Sequence, residues 1–282
     1  MIEFLSHALH PVILIYVVSA MLALGLGQTV KQIFEPLKNV RITISAIVAS
    51  YILLPLMATL VARLFGIEPA ARYGLVLMAM AAGAEIGPLL SANSNANARL
   101  SGGLLVLSIG ITIFYLPLMI GLFLPDVEID VRHLLLKLFL TILAPLILGL
   151  IIKSRFPKFA HTAEKYLHLN SRIFVSLLTI IVVILYFKPI IGLFGSFAIL
   201  AGLINVVGGF GIGYLLGMPE RGSRLAMGYM HGARSASIAV MIAADVFRNE
   251  PKVMLMIALV TVLILVILLP LSFVLKIKPV QK

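Results

Sequence analysis

Apolar residues fill almost the whole of this chain in long runs, which short polar segments separate. A helix needs about 20 apolar residues to cross the hydrocarbon core, because every backbone polar group must be satisfied inside the segment. Nine runs meet this requirement, at approximately 9–27, 42–65, 71–93, 98–124, 132–152, 168–187, 192–217, 222–246 and 252–276. The pattern therefore predicts an all-α integral membrane protein with nine transmembrane helices.

The segments between the runs contain charged residues, prolines and glycines, which end helices or remain in water. They are Glu35-Pro36, Gly66 to Pro69, Asn93 to Asn97, Pro125 to Asp130, Lys153 to Lys165, Lys188-Pro189, Gly217 to Pro219 and Arg248 to Pro251. Because the runs occupy nearly the full length, we expect a single membrane domain over residues 1–282.

Composition supports the same class of protein. Hydrophobic residues make up 61% of the 282 residues, whereas about 45–50% is usual for a soluble domain. The net charge of +11 would favour nucleic-acid binding in a soluble protein, but here the bases lie in short loops that face lipid head groups. The expected partners are the lipid bilayer and a small molecule, not nucleic acid, and the sequence predicts no oligomeric state.

Lys and Arg are unevenly distributed between the loops that alternate along nine spans. One set of loops carries thirteen bases, and the other carries seven bases together with six acids. Basic loops stay in the cytoplasm. The asymmetry thus predicts a cell-membrane protein whose N-terminus is outside and whose C-terminus is cytoplasmic.

Two stretches in opposite halves of the chain resemble each other at an offset of 149 positions. Gly83-Ala84-Glu85 then aligns with Gly232-Ala233-Arg234, and Met78 aligns with Met227. The stretches lie in the third and eighth predicted spans, which run in opposite directions. Such inverted repeats are typical of secondary transporters, whose sites lie at the membrane midplane where unwound helices meet.

Both spans contain residues that permit unwinding. They are Gly83, Gly87 and Pro88 in the third span, and Gly228 and Gly232 in the eighth. Glycine adopts conformations closed to other residues, and proline lacks an N–H for the helix. We therefore expect a broken helix in each half of the chain.

Glu85 and Arg234 are the only charged residues well inside the apolar spans. Each costs about 2.5–3.5 kcal/mol at the centre of an inserted helix, so a function is the default expectation. In one hypothesis Arg234 binds a substrate carboxylate, and Glu85 binds the coupling cation or accepts a proton. In the other, the two form a permanent salt bridge that locks the helices of a non-transporting sensor or scaffold.

Other polar residues near the breaks are candidate substrate ligands. His231 could relay protons or bind substrate, or donate to a carbonyl of the broken helix. Ser235 could bind substrate oxygens, whereas Ser237 is at least as well explained by helix packing. Asn93 is a candidate ligand, although the run 91–97 also has the composition of a plain solvated loop.

Hydroxyl and amide oxygens near the first break are candidate ligands of a coupling ion, because hard cations bind oxygen. Besides Glu85, these candidates are Ser91, Asn95, Ser101 and Thr112. Sodium and the proton are the coupling ions to consider. The sequence predicts no other cofactor and no metal centre.

Nine spans, an inverted duplication and small-residue breaks in the third and eighth spans together resemble the bile acid:sodium symporter family and its wider superfamily, which includes arsenite and auxin carriers. The resemblance implies a core domain, in which two broken helices cross, and a smaller panel domain. It assigns the core to about 42–124 and 192–276, and the panel to about 9–27 and 132–187.

The sequence departs from the family pattern at the expected sodium ligands. Sodium-coupled members carry a Ser-Asn pair at the first crossing, and a Glu followed closely by Met-Gln at the second. Here Met230-His231 replaces Met-Gln, Met227 lies near the Glu position, and the Ser-Asn pair is replaced around Ile86 to Pro88. The resemblance disfavours the arsenite branch, because carriers of that branch use a cysteine and this chain has none.

Other classes of function fit less well. A channel needs a continuous polar face, whereas the polar residues here are isolated. An enzyme needs a nucleophile or metal cluster, and the six histidines are not spaced to converge. The sequence therefore predicts a secondary active transporter of a small organic anion, coupled to sodium or protons, that works by alternating access.

Overall fold

The computed structural model describes residues 2–34, 38–125, 127, 129–193, 197–248 and 250–277. These residues form helices, turns and loops, and no β-strand. The helices are α1 (Ile2–Gly27), α2 (Val30–Phe34), α3 (Val40–Val48), α4 (Leu54–Leu64), α5 (Pro69–Met80), α6 (Gly87–Asn93), α7 (Ala98–Phe123), α8 (Val131–Leu138), α9 (Ala144–Arg155), α10 (Pro157–Leu193), α11 (Ala198–Leu216), α12 (Arg221–Gly232), α13 (Ala236–Val246) and α14 (Pro251–Val274). π-Helical turns, Ala49–Leu53 and Phe139–Leu143, join α3 to α4 and α8 to α9. The predicted all-helical class is confirmed.

Five continuous segments of the described chain are long and apolar enough to cross a membrane. They are Val40–Leu64, Ala98–Phe123, Val131–Arg155, Ala198–Leu216 and Pro251–Val274. Helix α1 contributes a shorter apolar stretch, Pro11–Gly27. The chain is thus a multi-pass membrane protein, while the count of nine spans, the inverted repeat and the orientation of the termini remain predictions.

Two predicted loops are helical instead. Helix α10 continues through Lys188-Pro189 to Leu193, since transmembrane helices tolerate proline when neighbouring groups satisfy the freed backbone. The polar stretch 153–165 is mostly the start of this helix, because α9 ends at Arg155 and α10 already begins at Pro157. The following residues from the predicted loops lie outside the described part: Glu35-Pro36, Asp126, Glu128, Lys278 and Lys282.

Both predicted helix breaks are present. In the third predicted span, α5 ends at Met80 and α6 begins at Gly87. In the eighth, α12 ends at Gly232 and α13 begins at Ala236. Each of these spans is therefore divided into two helices that are too short to cross a membrane alone.

Glycine and proline shape the breaks as expected. Gly83 has φ of +96°, and an added Cβ would lie 2.6 Å from Ile109 Cγ1, so only glycine fits. Pro88 lies in the first turn of α6, where its missing N–H leaves no helical hydrogen bond unmade. A Cβ at Gly232 would lie 2.9 Å from Phe210 Cβ, so this glycine lets α11 approach α12.

The two broken helices pack against each other with opposite polarity. Helix α5 contacts α13 and α6 contacts α12, so the first half of each helix lies beside the second half of the other. On their outer sides α14 packs along α5, and α11 packs along α12. Helices α1, α9 and α10 form another packed group, from which α1 reaches α13. The exact division into core and panel remains a prediction.

Candidate functional site

The two breaks lie in direct contact. The backbone N–H of Ser235 donates to the carbonyl of Ala81 over 2.9 Å. Residues 81–84 and 231–235 are all buried. Because a buried polar group without a partner is costly, the free helix ends here must be satisfied from outside their own helices.

Arg234 reaches from the second break to the end of α5. Its Nε donates to the Met78 carbonyl over 3.4 Å, and its Nη2 donates to the Ala79 carbonyl. Nη2 also donates to the Ser50 carbonyl over 3.2 Å. The last carbonyls of a helix have no partners within it, and they form the negative end of its dipole. Arg234 therefore caps α5 with both hydrogen bonds and charge.

Glu85 reaches from the first break to the start of α13, the second half of the other broken helix. Its Oε1 accepts hydrogen bonds from Ser235 Oγ, over 3.2 Å, and from Ser237 Oγ. Ser235 is also the N-cap of α13, since its Oγ accepts from the Ile238 N–H over 3.4 Å. The N-terminal end of a helix is positive. The carboxylate from the first break thus faces the positive end of α13.

We call this arrangement reciprocal capping, because Glu85 and Arg234 each serve an end of the other broken helix. Among the described side chains no ion pair joins these two residues. The hypothesis of a direct Glu85–Arg234 salt-bridge lock is therefore wrong for this conformation. The physical reason is that backbone carbonyls bind Nε and Nη2 of the guanidinium, while serine hydroxyls bind the carboxylate.

Each charged group keeps a position at which a ligand could bind. The Nη1 of Arg234 is buried and has no hydrogen-bond partner, although only 4% of the residue is exposed. Both hydroxyl donors of Glu85 bond the same oxygen, Oε1, and the side chain is only partly buried. The guanidinium therefore retains one donor without a partner, and both serine hydroxyls crowd one oxygen of the carboxylate.

Two carbonyls of the first π-helical turn bond side chains. Proline has no N–H, so Pro55 cannot donate to the preceding turn, and the Ser50 carbonyl accepts from Arg234 instead. The Tyr51 carbonyl accepts from the Tyr115 hydroxyl over 2.6 Å. The tyrosines were not among the predicted site residues, although a hydroxyl inside an apolar run signals a buried hydrogen bond.

Thr112 is the one predicted coupling-ion candidate, besides Glu85, that the structure brings to a break. Its Oγ1 donates to the Ala82 carbonyl over 3.3 Å and lies 3.1 Å from the Tyr51 hydroxyl. That hydroxyl also donates to the Ser108 carbonyl over 2.7 Å. Thr112 thus satisfies backbone at the break rather than facing Glu85.

Ser91 and Ser101 lie together but away from Glu85. Their hydroxyls are 2.6 Å apart between α6 and α7, and both residues are fully buried. A helix rises about 1.5 Å per residue, which places Ser91 about 6 Å along α6 from its first residue, Gly87. These serines therefore join two helices and do not contact the carboxylate.

Asn93 and Asn95 contact the end of α14 instead of the breaks. Asn93 Nδ2 donates to Ser272 Oγ over 3.4 Å, and Asn95 Nδ2 donates to the Ile277 carbonyl over 2.8 Å. Both amides thus bond the last part of α14 and the residues that follow it, and a role of Asn93 as a substrate ligand remains a prediction.

Each ring nitrogen of His231 lies near a backbone carbonyl, and the neutral imidazole donates to one of the two. Nδ1 lies 2.7 Å from the Met227 carbonyl, and Nε2 lies 3.1 Å from the Ala46 carbonyl. The residue is 2% exposed. This geometry favours the interpretation that His231 bonds carbonyls of α12 and α3, while a role in proton transfer remains a prediction.

The fold and site define a multi-pass helical membrane protein in which two broken helices meet beside a buried guanidinium and a partly buried carboxylate. The sequence profile of the sodium bile acid symporter family matches residues 14–193. This match covers more than half of the chain, so the protein belongs to that family, as its sequence pattern predicted. No curated protein matches the chain.

Family membership makes the protein one of a group of membrane transporters rather than enzymes. The matched residues include the first break with Glu85. They end before α12 and α13, so Arg234 lies outside the match. What Arg234 does must therefore be inferred from its own contacts.

Proposed function

We propose that the protein is a secondary active transporter, which moves a small organic anion together with a cation by alternating access. Family membership supports transport. The observation that carries the finer proposal is the pair of opposite charges at the contact of the two breaks, a buried guanidinium with one unpartnered donor and a partly buried carboxylate. Alternating access needs such a site where two mobile groups of helices meet.

Arg234 is the proposed anion ligand. Its Nη1 is a buried donor without a partner, a condition that costs about 1–3 kcal/mol or more for a charged group. A carboxylate oxygen would satisfy this donor with a charge-assisted hydrogen bond. The substrate therefore belongs to the class of small organic anions, and the bonds from Nε and Nη2 hold the guanidinium in place.

Glu85 is the proposed ligand of the coupling cation. A carboxylate with two serine hydroxyls beside it supplies the oxygen atoms that sodium prefers, so these residues fit the ion. The same carboxylate could carry a proton. In either case the cation binds next to the start of α13, and its charge compensates the carboxylate while the substrate is bound.

Movement between the two groups of helices would expose the site to each side in turn. One contact that must change lies between α8 and α13, where Lys137 Nζ donates to Asp245 Oδ1 over 2.6 Å. Asp245 lies in the last turn of α13, and residues at the start of the same helix bond Glu85. Opening at α8 is thus mechanically linked to the cation site through α13.

Flux into proteoliposomes tests the proposal. Labelled monocarboxylates, dicarboxylates and sulfonates are offered under an inward gradient of sodium, of protons, or of potassium as reference. We expect accumulation of at least one anion class under a sodium or proton gradient, and its loss in Glu85→Gln. Glu68→Gln is the matched control. Glu68 is an exposed acid that bonds Lys252, and neither residue lies in a break. A folded protein that accumulates none of the anions contradicts the proposal.

A further inference from the structure

Three backbone carbonyls converge on the guanidinium of Arg234. They belong to Met78 and Ala79 at the end of α5, and to Ser50 in the first π-helical turn. The Ala79 carbonyl lacks a helical partner because α5 ends, and the Ser50 carbonyl lacks one because the residue five positions later is Pro55, whereas the Met78 carbonyl also accepts from the Ala81 N–H over 3.2 Å. Clusters of backbone carbonyl oxygens are also the ligands with which proteins bind hard metal cations.

We propose that Arg234 is a built-in cation, which fills this carbonyl cluster in place of a free metal ion. The cluster lies at the negative end of α5 and attracts positive charge whatever its source. Because the guanidinium is covalently attached to the second break, it cannot leave during a transport cycle. The protein then has one exchangeable cation position, at Glu85, and this consequence alone rests on the proposed function.

Two contacts support permanent occupancy. Ser235, the next residue in the chain, is bonded through its N–H to the Ala81 carbonyl, so the backbone of the second break is fixed beside the end of α5. The guanidinium uses both Nε and Nη2 for the cluster, leaving Nη1 for a ligand on the opposite side. The positive charge of the guanidinium opposes the binding of a metal ion to the same oxygens while these bonds exist.

Removing the side chain should create a cation site that the wild-type protein lacks. We would measure the melting temperature of detergent-purified Arg234→Ala in the Glu85→Gln background, which removes the proposed coupling site. Leaving the Ser50 and Ala79 carbonyls unsatisfied, and removing the second donor of the Met78 carbonyl, should lower the melting temperature by about 5–10 °C. Added guanidinium or sodium, at about 10–100 mM, should restore it in a saturable manner through linkage, whereas choline should not.

Arg224→Ala is the matched control. Arg224 also donates to a backbone carbonyl, that of Tyr214 over 3.3 Å, but its guanidinium lies 4.1 Å from the ring centroid of Tyr214 and not in a carbonyl cluster. In the same Glu85→Gln background, its melting temperature should not respond to guanidinium or sodium. An equal cation response in both variants would overturn the proposal, as would an Arg234→Ala protein that loses no stability.

A second variant covers the case in which Arg234→Ala does not fold. Arg234→Lys keeps a tethered positive charge, so it should fold and should gain no stability from sodium or guanidinium. Recovery of Arg234→Lys by sodium to the wild-type melting temperature would overturn the proposal. The melting temperature does not depend on transport. If cations restore the melting temperature of Arg234→Ala but the wild-type protein shows no flux, only the proposed transport function is contradicted.

Discussion

Glu85 offers the most direct test of coupling, because its amide analogue keeps the shape of the side chain and removes its charge. A cation that binds the native state raises stability through linkage, by about 2.7 kcal/mol at a concentration 100 times its dissociation constant. We expect sodium, but not potassium, to raise the melting temperature of the wild-type protein, and Glu85→Gln to abolish this response.

The alternatives give different results in the same measurement. A response to pH without a response to sodium would assign coupling to a proton at Glu85 or His231. An undiminished sodium response in Glu85→Gln would contradict the assignment of Glu85. The absence of any response to sodium or pH would contradict cation coupling altogether.

The sequence identified both charged residues of the site but not their partners. Glu85 and Arg234 were recognisable because ionised groups are rare inside apolar spans. Their hydrogen-bond partners are backbone carbonyls and serine hydroxyls from other elements, and these depend on which helix end lies nearby. The contacts of Asn93 and Asn95 with Ser272 and Ile277 were unpredictable for a related reason, since the sequence does not show which distant segment packs beside a side chain.

The first helix break depends on a glycine that no other residue can replace without strain. At φ of +96° any side chain is unfavourable, and the Cβ of an alanine at position 83 would lie 2.6 Å from Ile109 Cγ1. We expect Gly83→Ala to cost about 1–3 kcal/mol of stability. The melting temperature of the purified variant measures this loss.

Gly110→Ala is its control, since Gly110 lies inside α7 and a Cβ there meets no atom within 4 Å. Alanine favours helix by about 1 kcal/mol over glycine, so this variant should be neutral or slightly stabilised. Equal losses in the two variants would show that Gly83 has no special conformational role.

The broken helices were predictable as elements, whereas the extent of α10 was not. Glycines and a proline inside an apolar run contradict a continuous helix, and the structure places both breaks at these residues. The same reasoning predicted a break at Lys188-Pro189, where α10 continues. A single proline removes one hydrogen bond, which neighbouring groups in a membrane protein can compensate.

The orientation of the whole molecule can be tested because the chain contains no cysteine. Pro125, between α7 and α8, and Phe156, between α9 and α10, are both exposed. The distribution of Lys and Arg predicts that position 125 is outside the cell and position 156 is inside. A membrane-impermeant maleimide should label Pro125→Cys in intact cells, and Phe156→Cys only after lysis.

The reverse pattern would overturn the orientation, and labelling of both positions from outside would overturn the number of spans. Hydropathy was sufficient to predict the helical membrane class, because a bilayer admits few other structures. It could not predict that α12 and α13 would lie against α5 and α6, since that packing joins residues from opposite halves of the chain.

Reciprocal capping also has a direction, which a salt bridge lacks. Two residues of an ion pair can be exchanged, since attraction between an acid and a base is the same from either side. Exchanging Glu85 and Arg234 would instead place a carboxylate against the carbonyls of α5 and a guanidinium against the positive start of α13. The order of acid and base along the chain is therefore fixed by the polarity of the peptide backbone. If the two halves arose by duplication, one copy had to acquire an acid that faces a helix start, and the other a base that faces a helix end.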